Sequence, residues 1–563
     1  MLTLAAYTQH FDPVGNSLFL SSLFAALPLV TLFVLLGGLR KKAHVAAIAA
    51  LVVAILVAVI VYSMPALQAI DAGIEGAAFG LFPIMWIVFN AIWIYNMTVA
   101  TGHFAVLRRS FERVSDDERI QAIIIAFSFG ALLEALAGFG TPVAITASML
   151  VGLGMKPIKA ASVALVANTA PVAFGAIAIP IVTLAGLTEL PKDDLGAMVG
   201  RQTPLLALVV PLILVAMVDG ARGLRQVWPA ALVGGAAFAI GQFLCSNFLS
   251  VEMTDIVAAL LSVGALVGFL RVWQPGEPLR AEPGGPARRP AMAGGSAADP
   301  AFEAEVRRRE GDADRRDTGR EKLTAYAPYM IIIVIFALAQ WGPIKDFLAH
   351  GIAKFDWPGL DILTAKGEAP TAQTYTFNWL PAAGTLLLIA GLLTMLVLRM
   401  NPARAVRIYG ETLNQLKWAT LTVATVLGLA YVMNLSGQTI TIGQWIAGAG
   451  GVLPFLSPII GWLGVAVTGS DTSSNSLFGV LQVTAAKDAG FDPILLASAN
   501  TSGGVMGKMV SPQNLAIGAA AVGLAGQEGD LFRRVIGWSL ALLLVMCVIV
   551  YLQSTSLLHW MVV

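Results

Sequence analysis

Charge is what this chain has least of. Only 12% of its 563 residues are Asp, Glu, Lys or Arg, and 57% are hydrophobic, whereas a soluble domain carries about 25% charged residues. That excludes a sizeable water-soluble domain and points to a polytopic membrane protein. The sparse charge balances to +1, which excludes a polyanionic partner such as nucleic acid. Cysteine is nearly missing. Cys245 and Cys547 lie in apolar runs and suggest neither a disulfide nor a metal site. The five histidines are scattered, without metal-ligand spacing. Ser/His/Asp constellations and nucleotide fingerprints are also missing. The stretch SGGVMGKM (502–509) lacks the first Gly and the last Ser/Thr of a phosphate loop. Neither an enzyme nor a cofactor is expected. The start of the chain has no basic n-region, and its first apolar run ends on Arg40-Lys41-Lys42, so it reads as a retained span.

What is present is apolar sequence in membrane-sized lengths. A helical span needs about 20 apolar residues. Such runs lie near 17–39, 44–62, 81–99, 203–219, 228–247, 255–272, 325–342, 378–398, 415–434 and 533–553. Two interrupted segments, 160–188 and 493–525, bring the count to about 12 transmembrane helices. The regions 120–155 and 456–486 each allow two crossings or a re-entrant hairpin with its polar knot at the tip, and the hairpin is favoured because each half-run is short and the knot is too polar to face lipid. Residues 273–323 differ. They are rich in Pro, Gly and mixed charge, cannot bury a core, and read as a disordered linker. Residues 1–272 then form a first transmembrane repeat and 324–563 a second. Arg40-Lys41-Lys42, Arg108, Arg109, Arg113, Arg119, Lys156, Lys159, Arg222, Arg225, Arg399, Arg404, Arg407, Arg533 and Arg534 collect on one side, the cytoplasmic one, together with the linker. Glu189, Asp193, Asp194, Glu252 and Asp255 fall on the other. Trp341, Trp357, Tyr375 and Trp379 in or beside the outer loop 343–377 are placed as boundary anchors.

Two stretches organise the chain: Ala167–Pro180, ANTAPVAFGAIAIP, and Ala499–Pro512, ANTSGGVMGKMVSP. They agree at five of fourteen positions. Each follows an apolar run carrying a polar knot, Gly138–Pro142 in the first and Thr468–Asn475 in the second. Gly, Pro, Asn and Thr interrupt a helix that hydrophobicity would continue. Under the charge bias the two copies run in opposite directions, the pattern of an inverted-topology repeat with broken helices at a transport site. The expected fold is therefore an all-α polytopic membrane protein.

A broken helix in a membrane leaves backbone groups unpaired, at several kcal/mol each, unless protein, water or ligand fills in. Asn168, Thr169, Asn500 and Thr501 offer donors at that depth, as do Thr141, Ser470, Thr472, Ser473 and Asn475 near the knots, with Gly140 shaping the first. Together they suit a small carboxylate, although any single Ser or Thr also serves as a plain helix cap. Charges inside spans say more, since each costs roughly 2.5–3.5 kcal/mol to insert. Glu134 and Asp471 are candidate proton carriers. Lys508 is the candidate partner for a substrate carboxylate, or for Asp471 in an empty site. Arg201 and Asp219 read as boundary charges and His103 as interfacial.

LEALAGFGTPVAI (133–145), ANTAP, TGSDTSSNSLFG (468–479) and VSPQNLAIGAAA (510–521) together resemble the bacterial L-lactate permease family over nearly the whole chain outside 273–322. The resemblance implies uptake of L-lactate, with D-lactate or glycolate, in symport with protons across the plasma membrane. The paired Asn-Thr breaks are also similar to carboxylate transporters with two hairpins and inverted repeats. The expected partners are a small 2-hydroxymonocarboxylate, protons and membrane lipid, with no nucleic acid. Sodium-coupled carboxylate transport, with Asp471 on the cation, and a membrane subunit of a proton-pumping complex are the alternatives.

Overall fold

The computed structural model describes residues 6–39, 41–112, 114–115, 117–138, 140–279, 317–339, 341–365, 367–524 and 527–563. The expectations placed on Arg40, Arg113, Phe139 and most of 273–323 lie outside them. The apolar runs become helices. Among the described residues nine are long and apolar enough to cross a membrane, or ten if the bent pair Pro157–Ala167 and Val172–Thr188 counts as one span.

The elements that position the site follow in chain order. The first group is α1 Ala43–Ile60, α2 Ala66–Phe79 and α3 Trp86–Ala100. Next come α4 Gly130–Ala137, α5 Thr141–Gly152, α6 Pro157–Ala167, α7 Gly175–Thr188, α8 Lys192–Phe248 and α9 Thr254–Phe269. The expected spans 203–219 and 228–247 both lie in α8, which opens between them at Gly220 with φ 61°. After the linker come α10 Pro402–Leu435, α11 Leu453–Thr468, α12 Asp471–Ala489, α13 Pro493–Gly507, α14 Pro512–Ala521 and α15 Glu528–Gln553.

These helices pack as two groups, each drawing on both halves of the sequence. In one, which we call the frame, α10 packs on α1, α2 and α3. In the other, the core, α13 packs on α8, α11 and α12, and α7 packs on α12. Helix Gln438–Ala447 and α10 of the frame rest on α12 of the core.

The chain is not wholly helical. β1 Tyr7–Thr8 pairs in parallel with β3 Ile362–Leu363, and β2 Ile352–Asp356 pairs antiparallel with β4 Thr374–Asn378. The loop 343–377, expected as irregular chain with aromatic anchors, thus contributes three short strands. Its aromatic and β-branched residues suit paired backbone. Trp357, Phe355 and Tyr375 stack on one another there.

Candidate functional site

The two broken segments meet through one buried ion pair. Lys508 Nζ lies 2.5 Å from Glu134 Oε1, and Asn168 Nδ2 donates to Glu134 Oε2 at 2.9 Å. All three side chains are buried. Glu134 comes from α4, Asn168 from the end of α6, and Lys508 from the turn after α13, so both halves supply one group. Lys508 was expected to pair with Asp471 in an empty site, and its partner is Glu134 instead. The reason is steric as well as electrostatic. Glu134 reaches in over Gly175, where a Cβ would stand 2.8 Å from Oε1, so glycine leaves the carboxylate room to approach.

The first copy breaks as expected. After α6 the chain turns at Asn168, passes Pro171, and makes a short 3-10 segment Val172–Phe174 before α7, with a 63° bend. Ala176, Ile177 and Ala178 all hold left-handed backbone, φ 47°, 59° and 56°. Each such non-glycine residue costs roughly 1–2 kcal/mol. The second copy departs from expectation. Asn500 and Thr501 lie inside continuous helix α13, which runs on to Gly507, and the interruption falls at Lys508–Ser511. The reason sits in register: position 503, which corresponds to Pro171, is a glycine. Glycine keeps its N–H and lacks the proline ring that collides with the preceding turn. Ser511 then accepts from Asn514 N and Pro512 takes the first turn of α14, a strong helix start.

Asn500 and Thr501 still face the site region. Asn500 Nδ2 donates to Asn475 Oδ1 at 2.9 Å, and Thr501 Oγ1 lies 3.0 Å from the same oxygen. Asn475 Nδ2 donates to the Pro180 carbonyl at 2.9 Å, so the second knot's helix touches the first broken segment. Gln482 and Ser457, unremarked in the sequence, extend this network, with Ser457 Oγ 2.8 Å from Gln482 Oε1.

Both knots form tight helix–turn–helix links. In the first, α4 ends at Gly138, φ 42°, and Gly140, φ 82°, lies against Asn514 and Ile517 of α14. In the second, Ser470 caps α12 by accepting from Ser473 N at 3.2 Å. Thr141, Ser470 and Thr472 are half-buried, and Ser473 is buried. None of these four is hydrogen-bonded to Glu134, Lys508 or Asn168. Ser470 acts as a cap, the plainer role for such residues, and only the backbone carbonyl of Thr472 is engaged, by Ser476 Oγ. Asp471 is buried, and a Cβ at Gly504, one turn before Lys508 on α13, would collide with its Oδ1. Neither Asp471 oxygen has a hydrogen-bond partner, and neither Asn168 Oδ1 nor Thr169 Oγ1 has one. Together with Asp255 Oδ2, which also has none, these are buried polar atoms that a ligand could engage.

Asp255 was counted with the outer boundary charges. It is instead buried within electrostatic reach of Glu134 and Lys508. Gln242 Nε2 holds it, donating to Asp255 Oδ1 at 3.1 Å and to the Ala170 carbonyl of the first break at 3.3 Å. The sequence signal was a Gln inside the apolar run AIGQFLC, followed by an acid at the head of the next run. Asp219, by contrast, lies apart from the Glu134–Lys508 pair. It pairs with Arg119, which Asp117 also holds at 2.7 Å. Arg201 likewise caps a surface contact with Asn247 at 2.9 Å.

The site therefore combines one ammonium, three carboxyls and unspent amide and hydroxyl groups, out of water. Such a set can bind a small anion through Lys508 and exchange a proton through a carboxyl. It has no activated nucleophile. The L-lactate permease family model matches residues 21–557. The chain is 42% identical to the L-lactate permease of Bacillus subtilis (strain 168), with 99% of this chain and 100% of the relative covered. It is 41% identical to the glycolate permease GlcA of Escherichia coli (strain K12), with 98% of each covered. The L-lactate permease of the same strain is also 41% identical, over 99% of each chain. Match length, identity and the helical, apolar fold agree: the chain belongs to the L-lactate permease family, a family of multi-pass transporters of the bacterial plasma membrane and not of enzymes.

Proposed function

We propose that the chain carries a small 2-hydroxymonocarboxylate, lactate or glycolate, into the cell together with a proton, by alternating access. The observation that carries this reading is the Lys508–Glu134 pair with Asn168 at 2.9 Å from the same carboxylate. Lys508 is one cation, and in a buried site it balances one anion. A substrate carboxylate that takes Lys508 leaves Glu134 unpaired, and an uncompensated buried charge costs several kcal/mol. A proton on Glu134 removes that cost. Substrate and proton therefore bind as a set, which is symport. The substrate hydroxyl is served by Thr169, Asn500 and Thr501, with Asn475 holding the last two. Gly140, Thr141, Ser470, Thr472 and Ser473 shape the two turns that close the site. Asp471 stands as the second proton carrier.

The same reading assigns the architecture: 1–272 and 324–563 as repeats of opposite orientation, about 12 crossings, re-entrant hairpins at 120–155 and 456–486, and 273–323 as a cytoplasmic linker. One lactate anion with one proton moves no net charge. The membrane potential, worth about 2.3 kcal/mol per charge per 100 mV, then contributes nothing, and the pH and substrate gradients drive uptake.

The test is labelled-lactate uptake into proteoliposomes after the outside is made acid relative to the interior. Glu134→Gln is expected to abolish acid-driven accumulation and to spare lactate exchange. Unchanged acid-driven uptake would remove Glu134 from the mechanism, and a lactate-dependent current would rule out one-to-one coupling. A second reading, sodium coupling, rests on the two unpartnered oxygens of Asp471. Uptake that survives replacement of sodium by choline disposes of it.

A further inference from the structure

The frame holds a buried acid that the transport site does not use. Glu75, on α2, is 0% exposed, and neither of its carboxyl oxygens has a hydrogen-bond partner. Its surroundings are specific. Along α2, one turn back, stands half-buried Asp71, whose Oδ1 accepts from Trp357 Nε1 of the strand-forming loop at 3.3 Å. From α10 comes Tyr431 and from β4 comes Tyr375, both within electrostatic reach of Glu75. The Tyr375 hydroxyl is spent elsewhere, donating to the Phe82 carbonyl at 2.6 Å. From the end of α7, exposed Glu189 acts on Tyr431. From α1, Leu51 lies against Gly73. The charged groups facing Glu75 among the described residues are thus acids.

A carboxylate with no cation and no donor, out of water, has no compensation for its desolvation, and such a charge within a span is costly. Packing does not require an acid there, because α2 meets α10 through small residues. A Cβ at Gly76 would collide with the Leu427 carbonyl, and Gly428 lies over Gly73. One turn past Glu75, the Phe79 ring lies tilted at 6.0 Å from that of Tyr431 and abuts Gly186 of α7. Glu75 therefore sits where the frame touches the core helix that carries the first break.

We propose that Glu75 is a further proton-binding site, separate from Glu134 and Asp471, built into the frame, reached from the surface through Asp71, and set to sense pH at the contact between α2 and α7. Its ligand is the proton itself. Asp71 and Glu75, four residues apart on one helix face, form the access step. Adding or removing one charge beside Tyr431 and Phe79 biases the frame–core contact without touching the substrate.

This proposal does not depend on the Lys508–Glu134 reading, and its primary test needs no substrate. Infrared difference spectra of the full-length chain in lipid, recorded between about pH 5 and pH 8, report the carbonyl band of a protonated carboxylic acid. Glu75→Gln is expected to remove one such component that Glu134→Gln retains. It is also expected to flatten the pH dependence of lactate exchange by about fivefold, the small end of coupling between linked sites. An intact band and an unchanged pH profile in Glu75→Gln would overturn the assignment. If that variant does not insert, Asp71→Asn leaves Glu75 in place. It should slow the appearance of the band after an external pH step, and an unaltered rate would again overturn it. Loss of the band in the wild-type chain when sodium replaces choline would make this a metal-cation site and refute the proton assignment.

Discussion

The core and the frame solve the same packing problem with opposite treatments of polarity. Both bring helices close with glycine. In the core, a Cβ at Gly503 would collide with the Pro458 carbonyl, and in the frame one at Gly76 would collide with that of Leu427. The core uses this closeness to bring polar side chains from both halves together: Glu134 with Lys508, and Asn475 with Asn500, Thr501 and the Pro180 carbonyl. The frame uses it to bring apolar surfaces together and leaves Glu75 alone among acids and aromatics. The difference teaches where substrate chemistry belongs. Polar groups that answer one another across the two halves of the sequence can exchange partners when a ligand enters. A lone buried acid can only gain or lose its own charge.

The strongest way to break this contrast is at Lys508. Lys508→Met should lower lactate uptake at least ~100-fold and destabilise the chain by about 3–5 kcal/mol, because Glu134 is left as an unpaired buried charge. Adding Glu134→Gln should restore the thermal midpoint of the purified protein and not its uptake. A double variant that transports would place the substrate's cation elsewhere. The next effect separates the regions by readout. Gly76→Ala drives a side chain into backbone of α10, so overpacking of about 1–3 kcal/mol or more should appear as a lower midpoint. Gly504→Ala meets Asp471 Oδ1 instead, so its main effect should fall on uptake. Equal midpoint losses in both variants would erase the distinction.

The sequence made this contrast partly visible, and particular residues show why only partly. Glu134, Lys508 and the Asn-Thr pairs stood out because a polar residue in an apolar run has few innocent explanations. The position of the second break did not. The two copies look alike in register, yet Pro171 interrupts one and Gly503 leaves the other helical, and glycine in a helix is excused by close neighbours that sequence does not reveal. Asp255 was misassigned because an acid at the head of an apolar run looks like a boundary. Only the Gln242 contact at 3.1 Å shows that it is drawn into the core. Glu75, in AIDAGIEGAAFG, lay in plain view before an apolar run, but nothing local says that the charged groups around it are acids. The ion pair joins residues 374 positions apart, and no periodicity encodes such a meeting.

Two smaller effects sharpen the comparison further. Asn475→Ala removes the hub that holds Asn500, Thr501 and the Pro180 carbonyl. It should cut uptake by about tenfold, or ~1.4 kcal/mol, chiefly through weaker substrate binding, because the ion pair stays intact. Uptake kinetics at saturating and limiting lactate separate this from a change in turnover. Trp357→Phe is the smallest. It deletes one hydrogen bond of 3.3 Å to Asp71 while keeping the aromatic stack, so stability should fall by no more than about 0.5–1.5 kcal/mol. Maximal uptake at saturating lactate should stay within about twofold, well below the smallest coupling expected between linked sites. A larger loss of transport would mean that the frame's acid pair reaches the substrate site directly, and the division between a core that binds and a frame that senses would have to be redrawn.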